Sequence, residues 1–450
     1  MFPKLPLALL SLITLLSGCA AVDPYNLIGR QRAAAPVSNV PVPSVDDNWR
    51  REALDVVWNT INDRYYDPKL NGVDWKAART RYEPQLAAAA SDDQYWELLD
   101  KMAGELKDSH TRVESPKQVA QQKAQESHSL GLSFIESADQ LLLTGVHAES
   151  DAWWAGVRAG MTIKTIDGKP ALAHYRELVA AARESSTPWA RTRGALRKIV
   201  GGDVGTKSAM TFVRTDGSEI NVTMARRKFR AAPDMTHRVL PSGFGYVRFS
   251  SFNYSLQSGI IDAIDSLKDT PGLILDLRNN GGGAADMAAK IMERFFADDQ
   301  KGVKLLTRTG KPVSIFFIDV MKLEPELKGV KEKAYTRPLV ILTNNSSASA
   351  SEVVSGALQD GGRATIIGQR TCGCLLGFLG YADLPGGGQM AYSELGFVTR
   401  SGKRIEGEGV IPDMEVKLDV QDYVLNRDRV LEAAEKFLKD KTAAAPADKR

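Results

Sequence analysis

The sequence predicts a multidomain α+β protein, with an N-terminal helical domain, a β-rich domain and an α/β core. Three observations carry this expectation. From Asp46 to about Leu106, apolar residues recur at spacings of three and four. From Leu130 to Met224, short strand-like runs are broken by glycine turns. From Phe244 onward, buried-strand runs alternate with amphipathic stretches, as in strand–helix–strand units of a mostly parallel sheet. At 450 residues the chain can bury several cores, and 43% hydrophobic with 25% charged residues is ordinary for a globular protein. A net charge of +3, with no long basic run interleaved with aromatics, argues against a nucleic-acid partner.

Lys4 precedes an apolar stretch from Leu5 to Leu16, and Leu16-Ser17-Gly18-Cys19 follows as a lipobox. The stretch is too short for a membrane span, so residues 1–18 read as a lipoprotein signal peptide. Cleavage would leave Cys19 as the acylated first residue, a stable membrane anchor. Ala20 rather than Asp follows it, which in a Gram-negative cell favours the outer membrane. The expected location is therefore the bacterial cell envelope, facing the periplasm. Residues 19–45, rich in Ala, Pro, Val and Ser, read as a tether.

Residues 46–115 form the expected helical domain. Trp49, Ala53, Val56, Val57 and Ile61 mark one helix; Tyr95, Leu98, Leu99 and Met102 mark another, capped by Ser91 or Asp92. The domain ends in Asp108-Ser109-His110-Thr111. Residues 116–128 are polar and read as mobile. Residues 126–229 carry the strand-like runs, including Ala209–Arg214 and Glu219–Met224 around an Asp216-Gly217 hairpin turn. Their order resembles a PDZ domain, with a GLGL-like strand, an A-x-x-A-G-V-x-A-G helix and an I-x-x-I-D-G strand. PDZ domains bind extended peptides at a sheet edge. The stretch from Ala171 to Gly202 is longer and more basic than a minimal PDZ helix, and long enough to cover that groove.

Residues 236–440 are the expected α/β core. Gly245–Phe249 and Gly272–Arg278 read as strands, Ser255–Leu267 and Ala284–Phe296 as helices, and Leu425–Leu438 as a late amphipathic helix before a disordered tail over 441–450. Within the core, Leu339–Leu342 is a strand, Asn344–Ser349 a turn, and Ala350–Leu358 a helix. A serine at such a seam meets free N–H groups and the positive end of a helix dipole. Besides Cys19, only Cys372 and Cys374 remain. Two cysteines cannot build a structural zinc site, and no HExxH or paired CxxC occurs, so no metal or cofactor is expected. Their pairing would need a tight closure, and their redox state stays open.

The motifs Asp276-Leu277-Arg278-Asn279-Asn280-Gly281-Gly282-Gly283, Ser347-Ala348-Ser349-Ala350-Ser351-Glu352, Thr371-Cys372-Gly373-Cys374 and Glu406-Gly407-Glu408-Gly409-Val410-Ile411-Pro412-Asp413 resemble those of the tail-specific, or C-terminal processing, serine proteases related to tricorn. The resemblance spans roughly residues 46–440 and implies a ClpP- or crotonase-like core. It implies Ser349 as nucleophile, and the amides of Gly282 and Ala350 as the oxyanion hole. In the better-known branch a lysine in T-x-G-K-G-x-x-Q activates the serine. Here Cys374 stands at the lysine position and Phe378 at the glutamine, so the Ser-Lys dyad is missing. The tricorn-like branch uses a histidine and a glutamate, which match His110 and Glu406, with Glu408 the alternative. The resemblance thus implies an envelope-anchored serine endopeptidase that cleaves exported proteins or peptides through an acyl-enzyme. The alternative is a catalytically inactive homologue that binds or scaffolds peptides. Expected partners are polypeptide substrates, the membrane through Cys19, and an envelope adaptor protein.

Overall fold

The computed structural model describes Tyr25 and residues 48–123, 128–229, 234–315 and 318–444. The expected signal peptide, Cys19 and all of the tether but Tyr25 lie outside the described residues. The chain divides into two compact units, and neither is contiguous in sequence.

The first unit takes in the N-terminal helices together with Lys301–Glu326 and Leu376–Glu406. Helices α1 (Asn48–Arg64), α2 (Trp75–Ala87) and α3 (Asp92–Gly104) bury their apolar stripes against one another. Ser91 caps α3, its hydroxyl accepting the Gln94 amide at 3.2 Å. The expected continuous core domain over 236–440 is corrected here. Leu376, Leu384, Met390 and Tyr392 bury among Val57, Ile61, Leu99 and Met102, so an excursion from the core completes the helical unit. Strand Arg112–Glu114 pairs antiparallel with Gln389–Ala391. Residues 116–128, expected to be mobile, begin instead as a helix, Pro116–Lys123. Its start is built by a reciprocal cap: the Gln118 amide donates to Ser115 Oγ at 3.3 Å, and the Ser115 amide to Gln118 Oε1 at 2.8 Å, with Pro116 at the first helical position.

The second unit holds two large sheets. The β-rich part is an antiparallel sheet of β1 (Leu132–Ser137), β2 (Gln140–Val146), β3 (Thr162–Ile166), β4 (Lys207–Val213) and β5 (Glu219–Ala225), in that order. Between β3 and β4 lie α4 (Ala171–Ala181) and α5 (Pro188–Val200), which bury Ala171, Tyr175, Ala195 and Ile199 against Leu141, Leu143 and Phe212. The long basic stretch seen in the sequence is therefore a helical pair with its own share of the core.

The second sheet runs β6 (Met235–Val239), β7 (Gly245–Phe249), β8 (Leu273–Asp276), β9 (Leu339–Thr343), β10 (Thr365–Gly368) and β11 (Met414–Glu415). Only β6 is antiparallel to its neighbour; the other pairs are parallel. Crossover helices α6 (Tyr254–Ser266), α7 (Ala285–Glu293) and α8 (Ala350–Asp360) link the strands. Because helices cover it, β9 is buried at every residue, which is why it reads as an unbroken apolar run. A final helix, α9 (Arg429–Ala444), packs Val430, Ala434 and Leu438 on Ile274, Val340 and Ile367. It extends the expected Leu425–Leu438 helix into residues assigned to the tail, whose remainder is outside the described residues.

Candidate active site

The carboxyl ends of β8 and β9 lie side by side, with Asp276 opposite Leu342, and that is where parallel sheets place their sites. Two loops leave from there and are laced together. Asn279 donates its amide to Asn344 Oδ1 at 3.0 Å, and Asn344 Nδ2 returns a bond to Asn279 Oδ1 at 2.9 Å. Ser347 donates to the Leu277 carbonyl at 2.8 Å. The Asn280 carbonyl accepts from the Ala348 amide at 3.1 Å and from Ser351 Oγ at 2.8 Å. Beneath them Arg278 grips buried Asp276 with Nε and Nη2, and Asp428 with Nη1 and Nη2, all within 2.9 Å.

Ser349 is the hinge of this arrangement. It occupies the N-cap of α8 with φ 54° and ψ −117°, a left-handed backbone that a residue with a Cβ adopts only when its surroundings impose it. Gly282, with φ +99°, presses on it: a Cβ built there would lie 2.7 Å from Ser349 Cβ and 2.8 Å from the Ala350 amide nitrogen. Ser349, Ala350 and Gly282 are thus brought together. In this structure the Gly282 amide donates to Asn280 Oδ1 at 3.0 Å and is engaged as it stands. The Ala350 amide sits in the first turn of a buried helix, where the dipole favours negative charge.

Sequence reasoning passed over Glu352. Its carboxylate is fully buried and collects the amides of Ser349 at 3.0 Å, Gly373 at 2.7 Å and Cys374 at 2.9 Å, and the Thr371 hydroxyl at 2.6 Å. Burial pushes its pKa up to about 7, against the pull of those four donors. The signal was available as the S-x-x-E spacing of a capping box from Ser349. Thr371 also accepts the Val410 amide at 2.7 Å, so the segment after Glu406-Gly407-Glu408 is stitched to the same loop.

At the lysine position the structure has no base. Cys372 and Cys374 form a disulfide. The Cys374 carbonyl accepts the Ser349 amide at 3.1 Å, and the Cys372 amide donates to Ser347 at 2.9 Å.

His110 and Glu406 belong to the first unit, Ser349 to the second. Asp108, wholly buried, holds the His110 segment: it accepts the His110 amide at 2.7 Å and the hydroxyls of Thr111 at 2.5 Å and Ser393 at 2.6 Å. Ser109 Oγ lies 3.5 Å from His110 Nδ1. Burial draws the imidazole below its ordinary pKa, assisted by Arg112 and opposed by Asp108. Phe378, at the expected glutamine position, stands 6.4 Å from the His110 ring and 5.2 Å from the Arg112 guanidinium. Glu406 is buried, close enough to Tyr65 for its charge to add to burial and to Asp108 in raising that phenol. Glu408 lies in the second unit, its side chain 65% exposed, 3.9 Å from Arg370.

A serine at a helix N-terminus on a parallel sheet, beside a glycine turn, is an arrangement that suits nucleophilic attack by an α/β hydrolase. Residues 243–416 match the model for Peptidase family S41, and residues 46–104 that for the Tricorn protease C1 domain. The chain is 28% identical over 379 residues to a carboxyl-terminal-processing protease of Picosynechococcus sp., covering 82% of this chain and 83% of that one. It is 27% identical to a chloroplastic C-terminal processing peptidase of Tetradesmus obliquus, over 81% and 76% of the two chains. Among solved structures, mature CPAF superposes with a TM-score of 0.68 at 14% identity, over 89% of this chain and 99% of that one. The photosystem II D1 C-terminal processing protease gives 0.57 at 24%, over 88% and 98%. The chain thus carries a Peptidase family S41 domain over residues 243–416 and a Tricorn protease C1 domain over residues 46–104, and it is a serine peptidase.

Proposed function

We propose that this peptidase cleaves exported polypeptides through an acyl-enzyme, with Ser349 as the nucleophile. The carrying observation is the Ser349 backbone itself, held left-handed at the N-cap of a buried helix beside Gly282. Ser349 Oγ attacks the scissile carbonyl, and the developing oxyanion is met by the Ala350 amide. Gly282 becomes the second donor when its amide leaves Asn280. His110 takes the hydroxyl proton, returns it to the leaving amine, and then activates water for deacylation, with Glu406 orienting it. What supports His110 is its depressed pKa, which leaves a neutral imidazole at neutral pH. What supports Glu406 over Glu408 is its burial.

The β-rich part, read as a PDZ-like module, presents an extended substrate. The relatives' names speak of carboxyl-terminal processing, which makes the C-terminal region of an exported polypeptide the substrate class. Acylated Cys19 anchors the chain in the envelope, outer membrane if the cell is Gram-negative, within reach of an adaptor protein. Mass spectrometry of the mature N-terminus tests this; an unmodified start after residue 19 sinks it.

One observation favours a second reading, an inactive peptide-binding homologue: the lysine position is filled by Cys374, whose sulfur is locked in a disulfide. Labelling with a serine-directed phosphonate separates the two. The catalytic reading expects labelling of the intact protein, none of Ser349→Ala, a loss of about a thousandfold in rate for His110→Ala, and, in Cys374→Ala, labelling slowed by the loss of the disulfide but not abolished. Full labelling of His110→Ala removes the histidine from the mechanism. No labelling of the intact protein under any condition selects the binding module.

A further inference from the structure

The helical pair inserted in the β-rich part does more than fill its own core. Thr187, the residue before α5, is 3% exposed and makes two bonds with one oxygen. Thr187 Oγ1 accepts the Ala190 amide at 3.2 Å, capping α5, and donates its proton to the Cys372 carbonyl at 2.8 Å. Ala190 then buries itself in a small cluster with Ala348, Cys372 and Cys374. One turn further along, Arg193 Nη2 donates to the Asn345 carbonyl at 2.8 Å, in the turn that leads to the nucleophile. The fit leaves no slack: a Cβ on Gly373 would stand 2.8 Å from Thr187 Cγ2.

These contacts form a continuous path. Thr187 fixes the Cys372 carbonyl, the disulfide joins Cys372 to Cys374, and the Cys374 carbonyl receives the Ser349 amide. Glu352 grips the same loop from the other side through Gly373 and Cys374. A left-handed serine persists only while its neighbours outvote its own preference. Here part of that vote comes from a helix some 160 residues upstream in sequence. We propose that Thr187 is a positioning residue of the peptidase site: by setting the Cys372–Cys374 loop, it holds Ser349 in its reactive backbone conformation, with Arg193 as its second point of attachment. The proposal rests on Ser349 being the nucleophile.

The test uses the full chain. Thr187→Val keeps the branched shape and deletes the hydroxyl; Thr187→Ser restores the hydroxyl without the methyl. The readouts are steady-state cleavage of a disordered polypeptide, the phosphonate labelling rate at Ser349, and hydrogen exchange of the amides over residues 344–353. Thr187→Val is expected to lower kcat and the labelling rate about tenfold, leave KM within about twofold, and speed exchange in that segment. Thr187→Ser is expected within about threefold of the parent on every readout. Unchanged exchange and labelling in Thr187→Val overturn the proposal, and so does a Thr187→Ser variant as impaired as the valine. Should Thr187→Val fail to fold, Arg193→Met replaces it, and unchanged exchange and labelling in a folded Arg193→Met overturn the proposal equally. Faster exchange in the variant, with a parent that never labels, removes the catalytic reading of Ser349 while leaving the positioning role in place.

Discussion

At the scale of single residues, Glu352 and Gly282 define what the Ser349 backbone depends on. Glu352 is an acid whose folded pKa of about 7 stands above its ordinary 4.5, so the folded state binds its proton more tightly than the unfolded chain. Its contribution to stability is complete below pH 4.5 and drains away as pH rises towards 7, by something on the order of 3 kcal/mol. Denaturation at a series of pH values is expected to show this slope, and Glu352→Gln to flatten it. The same variant should lose phosphonate labelling, because a carboxamide turns one of its two acceptors into a donor facing N–H groups. An unchanged slope in Glu352→Gln would remove Glu352 as its source. At Gly282, a methyl group meets both a left-handed φ and contacts below 3 Å from Ala348, Ser349 and Ala350. Gly282→Ala is expected to cost about 1–3 kcal/mol in unfolding experiments and to abolish labelling. Retained labelling would show that the glycine turn yields without disturbing the serine. His110 adds a sign: activity that needs neutral imidazole rises with pH, and its midpoint is expected below 6.5 because burial depresses the group.

Among the elements, legibility follows how local the cause is. Strand β9 and helix α8 could be read almost residue for residue, because an unbroken apolar run and a helical period are written in neighbouring positions. Helix Pro116–Lys123 was missed, although its cap is also local, because its polar composition outweighed the Ser115–Gln118 spacing. The docking of α5 on the Cys372–Cys374 loop has no local signature at all, since Thr187 and Cys372 meet only in the fold. At the site, the placement of Ser349, its helix and the glycine turn was legible from motif and spacing. The engagement of the Gly282 amide by Asn280 was not, because it depends on a side-chain rotamer. The loop after β8 also predicts its own weak point. Arg278 stands between two carboxylates, and Asp276 is buried. Asp276→Ala leaves Arg278 half-paired in a largely buried setting and is expected to cost roughly 3–5 kcal/mol, read from the shift in denaturation midpoint. A shift under about 1 kcal/mol would mark the pair as dispensable.

For the molecule as a whole, chain order and compactness part company. The first unit borrows Leu376, Leu384, Met390 and Tyr392 for its core. A fragment of residues 48–123 therefore exposes apolar surface meant to be covered, and is expected to lack a cooperative thermal transition by circular dichroism. The β-rich part draws its core from residues 130–224 alone, so a fragment of 128–229 is expected to melt cooperatively. The reverse pair of results would mean that the two cores are assigned to the wrong segments. The cysteine bond carries a consequence of a different kind. The sequence holds three cysteines, and two are spent on each other. If the third carries lipid, the mature protein has no thiol left to react, and maleimides or silver ions should leave it untouched. It would be a blank page for thiol chemistry: any cysteine introduced by mutagenesis could be dyed, spin-labelled or cross-linked with no background to subtract.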